Sequence, residues 1–212
     1  MNASRVQAPP SDGLLPGEIE RPAPPPARPK RVAETIAAAR RILESDGAGA
    51  LTMRRLAAEM HMRAPSLYKH FSGKAGVELA LIEDAMSEIG EVTHRALREP
   101  TTAGPLVNLL DSYRRYCVRH PNLYRLATGG RLPREGLPEG LEEWAGNPWF
   151  VVTGDPSRAQ ALWSFAHGML ILELDDRYPP GSDLDKTWRA GAAAFEGIAV
   201  SGYDERFRRR VT

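Results

Sequence analysis

Four polar side chains of different chemistry lie close together in the first half of the chain. Ser66, Tyr68, Lys69 and His70 bring a hydroxyl, a phenol, an ammonium and an imidazole group into one short stretch. Each of these groups can hydrogen-bond a phosphate oxygen or the edge of a base. Lys74 follows at the expected start of a further helix, where backbone N–H groups and a lysine together suit a phosphate. These residue types predict contact with a nucleic acid.

A longer helix before this stretch is needed to support it. Residues 31–45 are rich in helix formers, and their apolar side chains recur at helical spacing. Asp46-Gly47 follows as a stop signal, because glycine suits the residue that ends a helix. The predicted apolar stripe consists of Val32, Ile36, Ala39 and Leu43.

Two short helices follow. Thr52 is suited to cap a helix over residues 53–60, and a turn of three residues then leads to a second helix over residues 64–71. Leu67 and Phe71 are four residues apart and share the apolar face of that second helix. The polar groups then face outward, so this helix-turn-helix suits insertion of its second helix into a major groove.

At these residues the chain resembles the tetracycline-repressor (TetR) family of bacterial transcription regulators. The resemblance covers residues 31–80 closely, and the ordered spacing of its three blocks is highly specific. The blocks are Leu51-Thr52-Met53-Arg54-Arg55-Leu56-Ala57, then Ser66-Leu67-Tyr68-Lys69-His70-Phe71, then Lys74 leading into an acidic and apolar helix.

The resemblance implies roles for individual residues. Thr52 and Arg54 are expected to meet backbone phosphate, and Tyr68 and Lys74 to clamp phosphate. The recognition helix is expected to present Ala64, Pro65, Ser66, Lys69 and His70. The chain departs from the family pattern in two places. Met53 stands where a polar residue is often found, and Ala75-Gly76 replaces the usual acidic residue after the lysine.

Some of these residues can also have purely structural roles that involve no DNA contact. The Tyr68 ring can pack between helices, and His70 can be a cation at a helix end without a base contact. Thr52 is an N-cap in either case.

Charge is unevenly distributed along a chain whose net charge is only +1. Residues 31–75 hold 8 basic and 4 acidic side chains, whereas residues 76–212 hold 16 basic and 20 acidic ones. A basic small domain suits a polyanion, although a solvated helix face has the same charge. Cys117 is the only cysteine, which excludes an internal disulfide framework and a multi-thiolate zinc site. Without a signal peptide or an apolar run of about 18 residues, a bacterial cytoplasmic protein is expected, nucleoid-associated when bound to DNA.

These observations predict an all-α protein with two folded domains. A three-helix helix-turn-helix DNA-binding domain is expected over residues 31–76, and a helical ligand-binding and dimerisation domain over 77–203. Eight of the 18 prolines lie in residues 1–30, which predicts a disordered tail there. Residues 204–212 are expected to form a basic carboxyl-terminal tail.

The larger domain is expected to hold a small hydrophobic effector. A Trp163-x-x-x-His167-Gly168 pattern also recurs in a subgroup of TetR-like carboxyl-terminal domains, and residues 129–154 are expected to form a long loop or lid. Each candidate liner can equally be plain core. The candidates are Met86, Tyr113, Tyr116, Cys117, Tyr124, Trp144, Phe150, Trp163 and His167.

The last two helices are expected to pair with their symmetry mates in a homodimer. Small residues at 190–194 and Gly197 favour a close helix–helix approach. Two recognition helices about 34–36 Å apart would then contact a near-palindromic operator in double-stranded DNA. The expected function is a repressor that a ligand releases.

No enzyme constellation assembles from the sequence. The five histidines are scattered, and there is no HExxH motif and no phosphate-binding loop. Cys117 and His120 suggest a core thiol and a helix-end histidine rather than a thiolate site, and no metal or cofactor is expected. The alternative function is a helical ligand-binding or adaptor protein without specific DNA binding.

Overall fold

The computed structural model of the protein describes residues 14–15, 17–23, 27–99 and 101–196. Over these residues the secondary structure is helical and includes no β-strand, which confirms the predicted all-α class. None of the helices described there is long and apolar enough to cross a bilayer. A 3₁₀ turn covers Arg134–Gly136. The α-helices are α1 (Lys30–Asp46), α2 (Met53–Glu59), α3 (Ala64–Leu67), α4 (Lys74–Arg98), α5 (Pro105–Arg119), α6 (Pro121–Thr128), α7 (Leu141–Thr153), α8 (Pro156–Leu174) and α9 (Leu184–Glu196).

Helices α1 to α3 pack on the start of α4 around one apolar core. Ile36, Ala39 and Leu43 of the predicted stripe are buried on α1. Leu56 of α2 and Leu67 of α3 are fully buried against them. Burial of each leucine stabilises the fold by about 1.5–3 kcal/mol, so these few contacts orient both short helices.

The second short helix is shorter than expected. α3 ends at Leu67 after four residues, whereas the sequence predicts a helix to Phe71. Residues 68–70 form a turn in which the Leu67 carbonyl accepts hydrogen bonds from the N–H groups of His70 and Phe71. Because Leu67 and Phe71 are both buried, the turn still keeps the intervening side chains on the outside.

The expectation of a long loop over residues 129–154 is wrong, because α7 occupies its second half. Its glycines and prolines favour a loop, and Pro148 does lie inside the helix. Proline has no N–H, so the carbonyl of Trp144 lacks its helical donor. The His94 Nε2 of α4 lies 2.9 Å from that carbonyl and replaces the lost hydrogen bond. A neighbouring helix therefore makes the proline tolerable.

Part of the predicted disordered tail packs against the larger domain. The Glu18 side chain is fully buried, with Oε1 2.7 Å from His94 Nδ1 and 2.5 Å from Arg98 Nη2. Asn147 of α7 accepts from the Ile19 N–H and donates to the Gly17 carbonyl. Proline content predicts a solvated arm, but one buried carboxylate and one amide hold this segment across α4 and α7. Residues 1–13 of that tail lie outside the described residues.

Two of the small residues of α9, Gly191 and Ala192, serve contacts within the chain. A Cβ atom on Gly191 would collide with Cζ of Phe165 on α8, and Ala192 is buried. Close approach is therefore needed between α8 and α9 of one chain, and Ala190, Ala193 and Ala194 remain exposed. Gly197 and the predicted basic tail over 204–212 lie outside the described residues.

Candidate nucleic-acid interface and ligand cavity

The start of α2 combines a helix cap with an exposed cation. Thr52 Oγ1 accepts a hydrogen bond from the Arg55 N–H at 3.2 Å, which confirms the predicted N-cap. Arg54 is exposed in the first turn of α2, and Arg55 pairs with Asp46 at the end of α1. Arg55 is thus used within the domain, whereas Arg54 faces solvent.

The polar side chains after α3 form an exposed surface. Tyr68 is 58% exposed, so the alternative in which its ring packs between helices is wrong. Lys69 and His70 are also exposed, and Ser66 is half-buried beside the buried Leu67. At the start of α3, Pro65 is exposed and Ala64 is half-buried. The predicted recognition residues therefore lie on one connected stretch of surface.

Lys74 at the start of α4 is engaged within the protein. Its Nζ donates to the Ala48 carbonyl at 2.9 Å and lies 3.4 Å from Glu78 Oε1. The side chain is 41% exposed, so it can exchange these contacts for an external anion without disturbing the core. The hydrogen bond from Lys74 to the Ala48 carbonyl also links the start of α4 to the turn before α2.

A charged cluster joins the small domain to the larger one. Arg40 of α1 donates two hydrogen bonds to the Glu88 carboxylate of α4, and the Tyr116 hydroxyl of α5 donates to Glu88 Oε2 at 2.8 Å. Burial alone would raise the pKa of Glu88, but the hydrogen bonds from Arg40 and Tyr116 outweigh it and lower that pKa. Glu88 is therefore ionised at neutral pH and links three helices.

A second link runs from α1 to the amino terminus of α6. Glu44 accepts hydrogen bonds from the backbone N–H groups of Asn122 and Leu123, both at 3.3 Å. The Asn122 side chain donates back to the Glu44 carbonyl at 3.0 Å. A carboxylate at a helix amino terminus accepts hydrogen bonds from otherwise unpaired N–H groups and interacts favourably with the positive end of the helix dipole.

The larger domain contains a cavity of about 650 Å³ between α4, α7, α8 and the segment after α6. Of the predicted effector contacts, Met86, Tyr113 and Trp163 line it. Trp149, which the sequence analysis did not select, also lines it. Trp149 is 4% exposed and Trp163 is 42% exposed, so the two indoles lie at different depths in the cavity. The polar and apolar remainder of the lining is Ile89, Ala127, Thr128, Gly130, Arg131, Leu132, Arg134, Glu142, Ala145, Gly146, Ala159 and Gln160.

Three of the other predicted liners belong to different surroundings. Tyr116 faces Glu88 at the link to α1. Trp144 is buried beside His94, with ring centroids 4.8 Å apart. The Phe150 ring packs beside Gly17 of the amino-terminal segment. Helical spacing alone cannot show which of the buried side chains of a helix border the cavity.

The other three predicted liners are not part of the cavity lining. Cys117 is fully buried in the core, and burial raises the pKa of its thiol. Tyr124 Oη lies 2.8 Å from Tyr113 Oη and 2.6 Å from His167 Nδ1. Burial lowers the pKa of His167, which favours a neutral ring whose Nδ1 can accept a hydrogen bond from the Tyr124 hydroxyl. This hydrogen-bond chain orients Tyr113 at the cavity wall. Within the described residues no cluster of histidine, cysteine or carboxylate side chains is suited to a metal ion.

Comparison with known proteins agrees with this geometry. Residues 36–81, which span α1 to the first part of α4, match the family model of bacterial regulatory proteins of the tetR family. The nucleoid occlusion factor SlmA of Aliivibrio fischeri strain MJ11 is 33% identical over 109 residues, which cover 50% of this chain and 56% of that protein. The chain thus spans about half the length of the curated relatives it matches first.

Solved structures share the fold over most of the chain. A variant of TetR from Acinetobacter baumannii AYE in complex with minocycline has a TM-score of 0.55 at 26% identity, and the match covers 80% of this chain and 98% of that one. The multidrug binding protein EbrR complexed with imidazole has a TM-score of 0.59 at 23% identity, over 82% and 97% of the two chains. The helix-turn-helix segment therefore matches the tetR family model, and the helical fold resembles that of a solved TetR structure.

Proposed function

We propose that the protein is a ligand-responsive transcription regulator that binds a near-palindromic operator as a homodimer and represses until an effector releases it. The observation that carries this proposal is the exposed polar surface of Tyr68, Lys69 and His70, held outward by the buried Leu67 and Phe71. Arg54 and Lys74 flank that surface with positive charge. Such a regulator acts in the bacterial cytoplasm, at the nucleoid when bound to DNA.

The effector is proposed to bind in the 650 Å³ cavity and to act through α4 and α6. Met86 and Ile89 of α4 line the cavity, and so does Thr128 at the end of α6. The opposite end of α6 is held by Glu44 of α1. A ligand that prefers a shifted α6 therefore favours a shifted α1, and with it a different position of the helix-turn-helix. The Trp163-x-x-x-His167-Gly168 pattern supports a place for this domain in a subgroup of the family.

Operator binding is tested with labelled DNA from upstream of the protein's own gene, across a salt series. We expect tight, fragment-selective binding that weakens steeply with salt. The Tyr68→Phe/Lys74→Ala double substitution should weaken it about tenfold and reduce the salt slope by about one, because a phosphate charge contact is lost. Arg115→Ala, at an exposed arginine of α5 outside α8 and α9, should leave binding unchanged.

Failure on that fragment alone points to a distant operator, which a pool of genomic fragments would reveal. Failure on the pool as well would overturn the regulator and favour the second candidate, a helical ligand-binding or adaptor protein. Both functions rest on the cavity of the larger domain as the ligand site.

A homodimer through α8 and α9 is expected because both helices present exposed apolar side chains, Leu172 of α8 at 44% exposure and Ala190, Ala193 and Ala194 of α9. Light scattering at micromolar concentration should give the mass of two chains. Leu172→Asp should produce monomers and weaken operator binding more than tenfold, because two half-site contacts then bind independently. Val118→Asp, at a residue 43% exposed on α5, is the matched control and should remain dimeric. A monomeric parent protein would contradict the dimer.

A further inference from the structure

The ionic residues of the cavity lining leave one positive charge uncompensated. The lining contains two arginines and one carboxylate. Arg134 Nε and Nη2 each lie 2.7 Å from an oxygen of Glu142, so this pair is bidentate and its charges cancel. Arg131 is exposed, and none of the ion pairs found among residues 14–15, 17–23, 27–99 and 101–196 includes it. A guanidinium is therefore available at the cavity.

The walls of the cavity offer apolar surface and few other polar groups. Met86, Ile89 and Leu132 join the two indoles of Trp149 and Trp163 around the space. The Tyr113 hydroxyl faces this region but is already hydrogen-bonded to Tyr124. A ligand with polar groups along its whole length would leave them unpaired here, which is costly.

A cationic ligand meets indole faces but no free carboxylate in this lining. The carboxylate of the lining, Glu142, is held by Nε and Nη2 of Arg134, so a ligand cation would have to displace a bidentate guanidinium to reach it. An anion meets the opposite situation, because Arg131 can pair with it without breaking any existing ion pair.

We infer that the cavity binds a monoanionic amphiphile, an apolar body with one terminal carboxylate or similar anionic group. The apolar body lies against Trp149 and Trp163, and the anion pairs with Arg131. This inference rests on the proposed function, since it names the chemical class of the effector for the same cavity.

A series of three probes with the same ten-carbon chain tests it on the full-length protein. Decanoate, 1-decanol and decylammonium differ only in the charge of the head group. Binding is measured by calorimetry and by quenching of tryptophan fluorescence, below the aggregation concentration of each probe. We expect decanoate to bind at least tenfold more tightly than the other two, with a smaller preference at high salt.

Substitutions assign that preference to one residue. Arg131→Gln should bring decanoate to within about threefold of decanol and leave the affinity for decanol unchanged. Arg115→Gln, an exposed arginine of α5 outside this cavity, should retain the tenfold preference. Circular dichroism of each variant confirms that the helical fold is intact.

Three results would overturn the inference: equal affinity for the three probes, tightest binding of decylammonium, or no binding of any probe by the folded protein. An undiminished preference in Arg131→Gln would overturn it as well. Because operator binding is measured separately, these results are distinct from failure of the regulator. Charge-selective binding by a protein that binds no DNA would sustain the inference and overturn the proposed function.

Discussion

Replacing Glu18 with glutamine is expected to destabilise the protein by about 3 kcal/mol, in the lower part of the range for breaking a buried ion pair. The Glu18 side chain is fully buried between His94, which is itself 4% exposed, and the half-exposed Arg98. Both ring nitrogens of His94 face acceptors, Glu18 Oε1 and the Trp144 carbonyl. The Arg98 guanidinium donates to the same carboxylate oxygen. Without the carboxylate the buried His94 ring and Arg98 lose the partner that they share.

The measurement is urea unfolding followed by circular dichroism, with Glu20→Gln as the matched control. Glu20 lies two residues away, is exposed, and should change the free energy of unfolding by less than about 0.5 kcal/mol. Equal stabilities of the two variants would mean that the amino-terminal segment does not contribute to the domain in solution.

The effect of Glu18→Gln should depend on pH. Burial by itself raises the pKa of the Glu18 carboxyl, but the hydrogen bonds from His94 and the Leu15 N–H and the charge of Arg98 outweigh it, so the pKa is below the usual 4.5. A carboxylate with a lowered folded-state pKa stabilises the protein above its unfolded-state pKa, and this contribution is lost as the pH falls through the folded-state value. The difference between parent and variant should be full above about pH 4.5 and shrink below it.

Gly90→Ala is expected to destabilise the protein by about 2 kcal/mol, although alanine favours a helix by about 1 kcal/mol over glycine. A Cβ atom on Gly90 of α4 would collide with Cζ3 of Trp144. The Trp144 ring cannot withdraw easily, because His94 stacks on it and the Arg21 guanidinium lies 4.9 Å from its centroid. Overpacking at such a site costs up to about 3 kcal/mol, which outweighs the gain in helix propensity.

Gly146→Ala is the matched control, because Gly146 is also inside a helix but has no neighbour within 4 Å of the position that a Cβ atom would take. This variant should gain up to about 1 kcal/mol in the free energy of unfolding. A Gly90→Ala protein stabilised to the same degree would show that Trp144 moves freely. Adding Trp144→Phe to Gly90→Ala should recover part of the loss, because the smaller ring leaves room for the methyl group.

The sequence alone was sufficient for the features that depend on local physical chemistry. Apolar spacing predicted that Ile36, Ala39 and Leu43 form the buried face of α1, and the Thr52 hydroxyl caps α2 as expected. The spacing of Leu67 and Phe71 predicted which side chains between them face outward. Helix periodicity and caps act within a few residues, so a single sequence contains the information.

Tertiary structure alone decided the features that depend on distant partners. Pro148 and the surrounding glycines predicted a loop, and the hydrogen bond from His94, 50 positions away from Trp144 in the chain, allows a helix instead. Proline content predicted a free arm, whereas Glu18 reaches a partner 76 positions away. The cavity lining likewise combines α4, α7 and α8 with the segment after α6. Such contacts follow from packing between elements, and no local pattern in the sequence encodes their partners.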